Sequence, residues 1–223
     1  IDGNGIPDFH GRTPHAGTGG RSVCAAPFDG RRLGKDIERL KPPLEETTLW
    51  GMGIASGAEL RHFLNAMRSA TSFWYVTRRV LAHWRDLVLH RRGMRLVNGN
   101  ALTAGLLVAA REVGVDVRTS SPVLRLLREQ DRVTGAVIKT AKGQQHILAS
   151  RGVVLACGGF PHDETRKQAL LPHAPTGREH WSAAAHGNTG DGLRLGESMG
   201  GSVDAHLVQA AALAPVSLVP RPD

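Results

Sequence analysis

The 223-residue chain is 41% hydrophobic and 22% charged, with a formal net charge of +8, a composition that excludes a disordered polymer. Two cysteines exclude a disulfide-dense scaffold and a four-cysteine zinc site, and 4% aromatic content argues against a stacking platform for single strands. The positive balance favours anionic partners without choosing among phosphates, carboxylates, nucleic acid or a membrane surface.

The opening Ile1-Asp2-Gly3-Asn4-Gly5 is polar, lacks Met and shows no signal-peptide pattern. A cytoplasmic location is therefore the default expectation. No apolar run approaches the roughly 18 residues of a spanning helix, so no transmembrane segment is expected. Residues 1–48 read as mostly irregular, with turn-rich strings at Asp8-Phe9-His10-Gly11 and His15-Ala16-Gly17-Thr18-Gly19-Gly20. Residues 33–40 make one short amphipathic element, which Pro42-Pro43 ends. So long an irregular stretch suggests a segment draped over a framework.

Residues 57–91 have helical spacing. Ala58, Leu60, Phe63, Leu64, Met67 and Ala70 recur on one stripe, and Val76, Val80, Leu81, Trp84, Leu87 and Val88 on a second. One long helix is expected, or a pair broken near residues 69–72. Its apolar stripe reads as packed core, the alternative being a lid over an apolar substrate. Residues 78–95 carry six arginines against Asp86 alone. That run suits a solvated face, or pairing with acids outside the chain. A nucleic-acid patch has no recognition motif to support it.

From Asn98 the pattern sharpens. Asn98 or Asn100 can cap a helix of small residues through Ala110, and Gly114 stops it. Val115-Asp116-Val117-Arg118-Thr119 alternates as a strand. After Pro122, three short strands follow at residues 123–128, 133–138 and 145–150, an antiparallel meander. Val153-Val154-Leu155-Ala156-Cys157 is almost wholly apolar, the signature of a buried parallel strand. Residues 163–171 and 190–199 then read as helices, with Asn188, Thr189 and Asp191 as capping side chains for the second. The order helix, parallel strand, meander, parallel strand resembles that of an α/β dinucleotide-binding domain whose crossover is a β-meander.

Two glycine strings stand where a ligand can lie. Ala156-Cys157-Gly158-Gly159 puts bare backbone at the carboxyl end of the apolar strand, where a ring or phosphate can approach closely. Thr189-Gly190-Asp191-Gly192 opens a helix whose free N–H groups can meet a polar ligand edge. The plainer readings are a tight turn and a capping motif. Eleven histidines are scattered without metal-ligand spacing. Ser22, Ser182 and Cys157 lack a nucleophile elbow.

Taken together, Pro27-Phe28-Asp29-Gly30-Arg31-Arg32-Leu33-Gly34, Gly93-Met94-Arg95-Leu96-Val97-Asn98-Gly99-Asn100-Ala101-Leu102, Val153-Val154-Leu155-Ala156-Cys157-Gly158-Gly159-Phe160 and Asn188-Thr189-Gly190-Asp191-Gly192 run over almost the whole chain. In order and spacing they resemble the flavoprotein family of fumarate reductase, succinate dehydrogenase and 3-ketosteroid Δ1-dehydrogenase. The resemblance implies a partial FAD-binding two-dinucleotide-fold domain at residues 97–205. An irregular and helical segment, 1–96, packs on it, and residues 206–223 begin a substrate-capping domain. It implies FAD as cofactor, with backbone near Val123 against the adenine, Ala156, Cys157, Gly158 and Gly159 along the cofactor, and Thr189, Gly190, Asp191 and Gly192 near the flavin. Cys157 stands where that family usually has Thr.

The resemblance implies oxidation or reduction of a CH–CH group in a 3-ketosteroid-like or other apolar substrate. The alternatives are a dicarboxylate, as for a fumarate-type enzyme, or a non-catalytic basic module. Tyrosines move the proton in ketosteroid relatives. Tyr75, the only Tyr here, matches no family position, so no catalytic residue is assigned. The Gly-x-Gly-x-x-Gly string that holds the pyrophosphate in this family is absent. The chain is therefore expected to be an interior piece of a longer enzyme, or the product of a disrupted or misannotated gene, with an exposed sheet centre that predicts aggregation or dependence on a partner.

Overall fold

The computed structural model describes residues 2–3, 7–8, 11–21, 23–207 and 211. Several sequence expectations lie outside these residues: the first residue and 4–6 of the opening string, Phe9 and His10, Ser22, and most of the segment 206–223 assigned to a capping domain. The chain forms two compact units, residues 1–117 and 118–223, where the sequence reading draws its boundary after residue 96.

The first unit is built from short paired strands and three helices. β1 (Asp2–Gly3) pairs with β2 (Val23–Cys24), and β3 (Phe28–Asp29) leads into a 3-10 segment, Gly30–Arg39, kinked at Gly34. A second 3-10 turn, Glu45–Thr47, precedes the hairpin of β4 (Thr48–Leu49) and β5 (Met52–Gly53). α1 (Ala58–Leu64) and α2 (Ala70–His90) form the expected broken pair, with Ser69 capping α2. β6 (Arg95–Leu96) returns to pair with β3, and α3 (Asn98–Glu112) follows. Leu33, Ile37, Met94, Leu96, Ala101 and Ala104 make the core. The small side chains of α3 let it lie close to that core, with Gly105 beside the Phe28 ring. This packing draws α3 into the first unit.

Two expectations for this unit are corrected. Asn98 and Asn100 do not cap α3. Val97 holds the cap position with no side-chain bond. Asn98 instead donates to the Ile54 carbonyl and accepts from the Ser56 N–H, and Asn100 donates to the Lys41 carbonyl. Both tie distant loops to the helix start. The apolar stripe of α1 and α2 is likewise not core. Leu64, Met67, Leu81, Trp84 and Val88 are exposed, because α2 turns its polar side inward.

The second unit begins with an irregular stretch and then the meander: β7 (Val123–Glu129), β8 (Arg132–Thr140) and β9 (Gly143–Leu148), all antiparallel. Leu126, Val137 and Ile138 are the meander's buried hydrophobic residues. α4 (Glu164–Leu170) is capped by Asp163, whose carboxylate accepts from the Arg166 N–H, and α5 (Asp191–Glu197) follows. The meander and both helices stand where the sequence places them.

The two parallel strands do not form. Residues 115–119 and 153–157 carry no ladder, and every strand pairing among the described residues is antiparallel. A strand exists through hydrogen bonds to a neighbour, and an apolar run does not supply one. Val154, expected to be buried, is exposed, as are Val115 and Val117.

Candidate functional site

The two glycine strings of the second unit meet. Gly190 N–H donates to the Gly159 carbonyl at 3.1 Å, and His162 N–H donates to the Asn188 carbonyl at 3.2 Å. Gly158 has φ +79°, and a Cβ there would stand 2.5 Å from the Asn188 amide oxygen. Gly is required by both the backbone conformation and the close approach. A Cβ on Gly192 would reach 2.9 Å from the Cys157 sulfur. The turn after residue 157 and the start of α5 are thus interlocked through missing side chains.

A cleft of about 470 Å³ opens beside this junction. Val123, Ala156, Cys157 and Asp191 line it, together with Leu126 and Leu195. Four of the nine residues singled out from sequence therefore face one space. Gly158, Gly159, Thr189, Gly190 and Gly192 form the junction at its side. Backbone N–H and C=O groups of residues 153–157 take no backbone hydrogen bond among the described residues. The cleft offers apolar walls with polar backbone at hand, which suits a flat ring with hydrogen-bonding edges. Asp191 is its only charged lining residue among the described residues. The residues present fit an aromatic ring of FAD and provide no cation for its pyrophosphate.

Ion pairs fix the start of α5 against α4. Arg194 donates to Asp163 at 3.0 Å and to the Thr189 carbonyl at 2.7 Å, and also pairs with Asp191. Arg166 and Glu197 form a two-pronged pair. The Arg166 hydrogen bond holds the Glu197 carboxyl below the usual range, and Glu197 in turn raises Arg166. The expected caps are corrected here. Gly190, with φ +79°, is the N-cap of α5 and no side chain caps it, while Asp191 is engaged by Thr189 and Arg194. Arg194 and Asp163 were not legible as site residues. The signal for Arg194 was its place three positions after Asp191, the spacing of neighbours on a helix; Asp163, 31 positions from Arg194, had none.

Between the glycine strings, His173 and His180 share a 2.9 Å hydrogen bond, and the buried Lys167 donates to the His180 carbonyl at 3.2 Å. Burial, then the charges of His173 and Lys167, hold the His180 imidazole below its usual value. Among the described residues no group of three potential metal ligands occurs.

The first unit carries a charged interior that sequence reading missed. Glu59 is buried and accepts from Arg79 Nε at 2.8 Å, Arg95 Nη1 at 2.9 Å and the Ala55 N–H at 3.0 Å. Burial pushes the Glu59 carboxyl up, but Arg79, the Ala55 N–H and Arg95 outweigh it and hold it below its ordinary range. Asp86 accepts from Arg31 and from the Met94 N–H, each at 3.1 Å. His83 donates to the Trp50 carbonyl. The arginine run expected to be a solvated face is thus partly internal, since Arg79, Arg85 and Arg95 each have an acid within the chain. A second cleft, about 450 Å³, lies within this unit and includes Arg91 and Arg92 in its lining.

A family model described as an FAD binding domain matches residues 6–223. The chain is 32% identical over 215 residues to 4-oxocyclohex-2-ene-1-carboxylate 5-dehydrogenase of Sinomonas cyclohexanicum, covering 95% of this chain and 36% of that protein. It is 31% identical over 214 residues to 3-oxosteroid 1-dehydrogenase of Mycobacterium tuberculosis, covering 90% of this chain and 35% of that protein. Among solved structures it is similar to 3-ketosteroid delta1-dehydrogenase from Sterolibacterium denitrificans in complex with 1,4-androstadiene-3,17-dione. That match has a TM-score of 0.74 and 32% identity, over 86% of this chain and 35% of the other. The chain spans about a third of the length of these relatives. No helix among the described residues is long and apolar enough to cross a membrane.

Proposed function

The chain belongs to the FAD-binding dehydrogenase family related to 3-ketosteroid dehydrogenase and fumarate reductase, and from that premise we propose that it serves a FAD-dependent oxidoreductase acting on a CH–CH group next to a ketone. The observation that carries the reading is the convergence of both glycine strings at one cleft, with Gly158 against Asn188 and Gly190 bonded to Gly159. In this reading Val123 and Ala156 press on a cofactor ring, and free backbone groups of residues 153–157 bond its edges. Cys157 fills the place of a small hydroxyl residue. Asp191, oriented by Thr189 and Arg194, accepts a hydrogen bond from the cofactor. The flavin, when bound, supplies the hydride chemistry; the protein supplies position and field.

Titration of flavin fluorescence with the chain tests this. Saturable FAD binding is expected, together with slower alkylation of Cys157 in the presence of FAD. Gly158→Val removes both effects. A chain folded by circular dichroism that neither binds FAD nor shields Cys157 refutes the proposal.

The substrate class has two readings. A 3-ketosteroid follows from the Mycobacterium and Sterolibacterium relatives. A ring ketone bearing a carboxylate follows from the Sinomonas relative. Turnover of 4-oxocyclohex-2-ene-1-carboxylate against androst-4-ene-3,17-dione by the protein carrying this chain separates the two.

A further inference from the structure

Asp191 brings a single charge to the cofactor cleft, and only half of its carboxylate is committed. Its Oδ1 accepts from the Thr189 hydroxyl at 3.2 Å and from Arg194 Nη2. Its Oδ2 has no partner among the described residues, and the side chain is 56% exposed. A carboxylate so open has several staggered rotamers available to it. What fixes it is Arg194, and Arg194 is fixed in turn. Its Nη1 donates to the Thr189 carbonyl at 2.7 Å and to Asp163 Oδ2 at 3.0 Å. The planar guanidinium thus ties two carboxylates and one carbonyl into one geometry, which a flexible ammonium does not reproduce.

Asp163 divides its two oxygens between two tasks. Oδ1 accepts from the Arg166 N–H at 3.1 Å and caps α4. Oδ2 faces two arginines. Arg194 Nη1 takes it at 3.0 Å, while Arg166 Nε stays 3.7 Å away, buried and without a hydrogen bond. Buried N–H groups are nearly always paired, and an orphan marks a place where another requirement prevails. A small turn of Asp163 toward Arg166 would satisfy that N–H and release Arg194, yet Oδ2 stays with Arg194. Gly190 makes room for this arrangement. A Cβ there would stand 3.1 Å from Asp163 Oδ2 and 3.3 Å from Arg166 Nε, pressing on the bridge.

We propose that Asp163 is a positioning residue for the cleft: acting through Arg194, it sets the Asp191 carboxylate so that Oδ2 meets a hydrogen-bond donor of the bound ligand. Asp163 itself does not line the cleft. Identifying the ligand as FAD rests on the proposed cofactor site; the placement of Asp191 by Asp163 does not. Every bond in the bridge lies within the second unit.

Asp163→Asn tests it, because the amide keeps the oxygen that caps α4 and replaces Oδ2 with a donor that Arg194 cannot use. Nitrogen-15 NMR of the chain without FAD reads the first link. Rotation of the Arg194 guanidinium is expected to be slow in the parent and about tenfold faster in the variant, which has lost one charge-assisted bond. Titration of flavin fluorescence reads the second link. The FAD dissociation constant should rise about tenfold for Asp163→Asn, and no further when Asp163→Asn is added to Asp191→Asn. Arg194→Lys, which keeps the charge but not the fork, should give a similar rise. A merely structural role for Asp163 would weaken binding equally with Asp191 or Asn at position 191. The proposal is overturned if Arg194 rotates alike in parent and Asp163→Asn, or if Asp163→Asn weakens FAD binding as much beside Asp191→Asn as alone. It also fails if Asp163→Asn and Arg194→Lys bind FAD as the parent does. A parent that binds no FAD, with Arg194 still freed by Asp163→Asn, refutes the cofactor reading and supports the placement of Asp191.

Discussion

Helix α2 of the first unit and the glycine junction of the second each bring polar groups together, by opposite devices. Around α2 the work is done by long side chains. Glu59 gathers Arg79, Arg95 and a backbone N–H, and Asp86 gathers Arg31 and another. At the junction it is done by side chains that are missing, so that backbone meets backbone at Gly159 and Gly190 and the Asn188 amide fills the space over Gly158. The difference teaches where each region is fragile. The first fails when a charged group is taken away and its partner is stranded. The second fails when atoms are added.

The largest effect is expected from Glu59→Ala. It leaves Arg79 buried without its counter-charge, a loss of about 3–5 kcal/mol, and the midpoint of urea unfolding monitored by tryptophan emission reads it. Glu59→Gln, which keeps the shape, is milder. Equal midpoints for Glu59→Ala and the parent would show that the ion cluster does not hold this unit. Next is Gly158→Ala. A residue forced to hold φ +79° while displacing Asn188 costs about 1–3 kcal/mol. The loss should appear in unfolding of the second unit and weaken FAD binding. If Gly158→Ala unfolds like the parent, missing atoms are not what the junction depends on.

Acid sharpens the comparison further. Glu59 keeps its charge in the folded state to lower pH than its ordinary value of 4.5. Its contribution is fully present above that value and is lost as pH falls through the lower, folded one. Unfolding midpoints measured from about pH 6 to 3 should therefore decline, and Glu59→Gln should flatten the decline. The smallest effect belongs to His180. Burial, His173 and Lys167 favour its neutral form, so the unfolded chain takes the proton first and stability falls as pH drops through 6.5. His180→Gln should remove that shallow slope. A slope that persists in the variant places its origin in another histidine.

Local pattern carried much of the chain. The meander strands, the break between α1 and α2, the end of α3 near Gly114, the helix after Pro161 and both glycine strings depend on neighbours within a few residues, where spacing and turn chemistry act directly. The family was legible for the same reason, since its motifs are short strings in a set order. Tertiary structure decided what depended on distant partners. Residues 153–157 have the composition of a buried strand, yet without a ladder neighbour they line an open cleft instead. Asn98 has the chemistry of a cap, but loops more than forty positions away in sequence claim its side chain. The stripe of α2 has the spacing of a core, but Glu59 and Arg31, each brought in from another element, draw its polar side inward. Periodicity marks the faces of a helix; which face is buried is settled by the charges waiting on the other side, because an unpaired buried charge costs more than an exposed apolar residue.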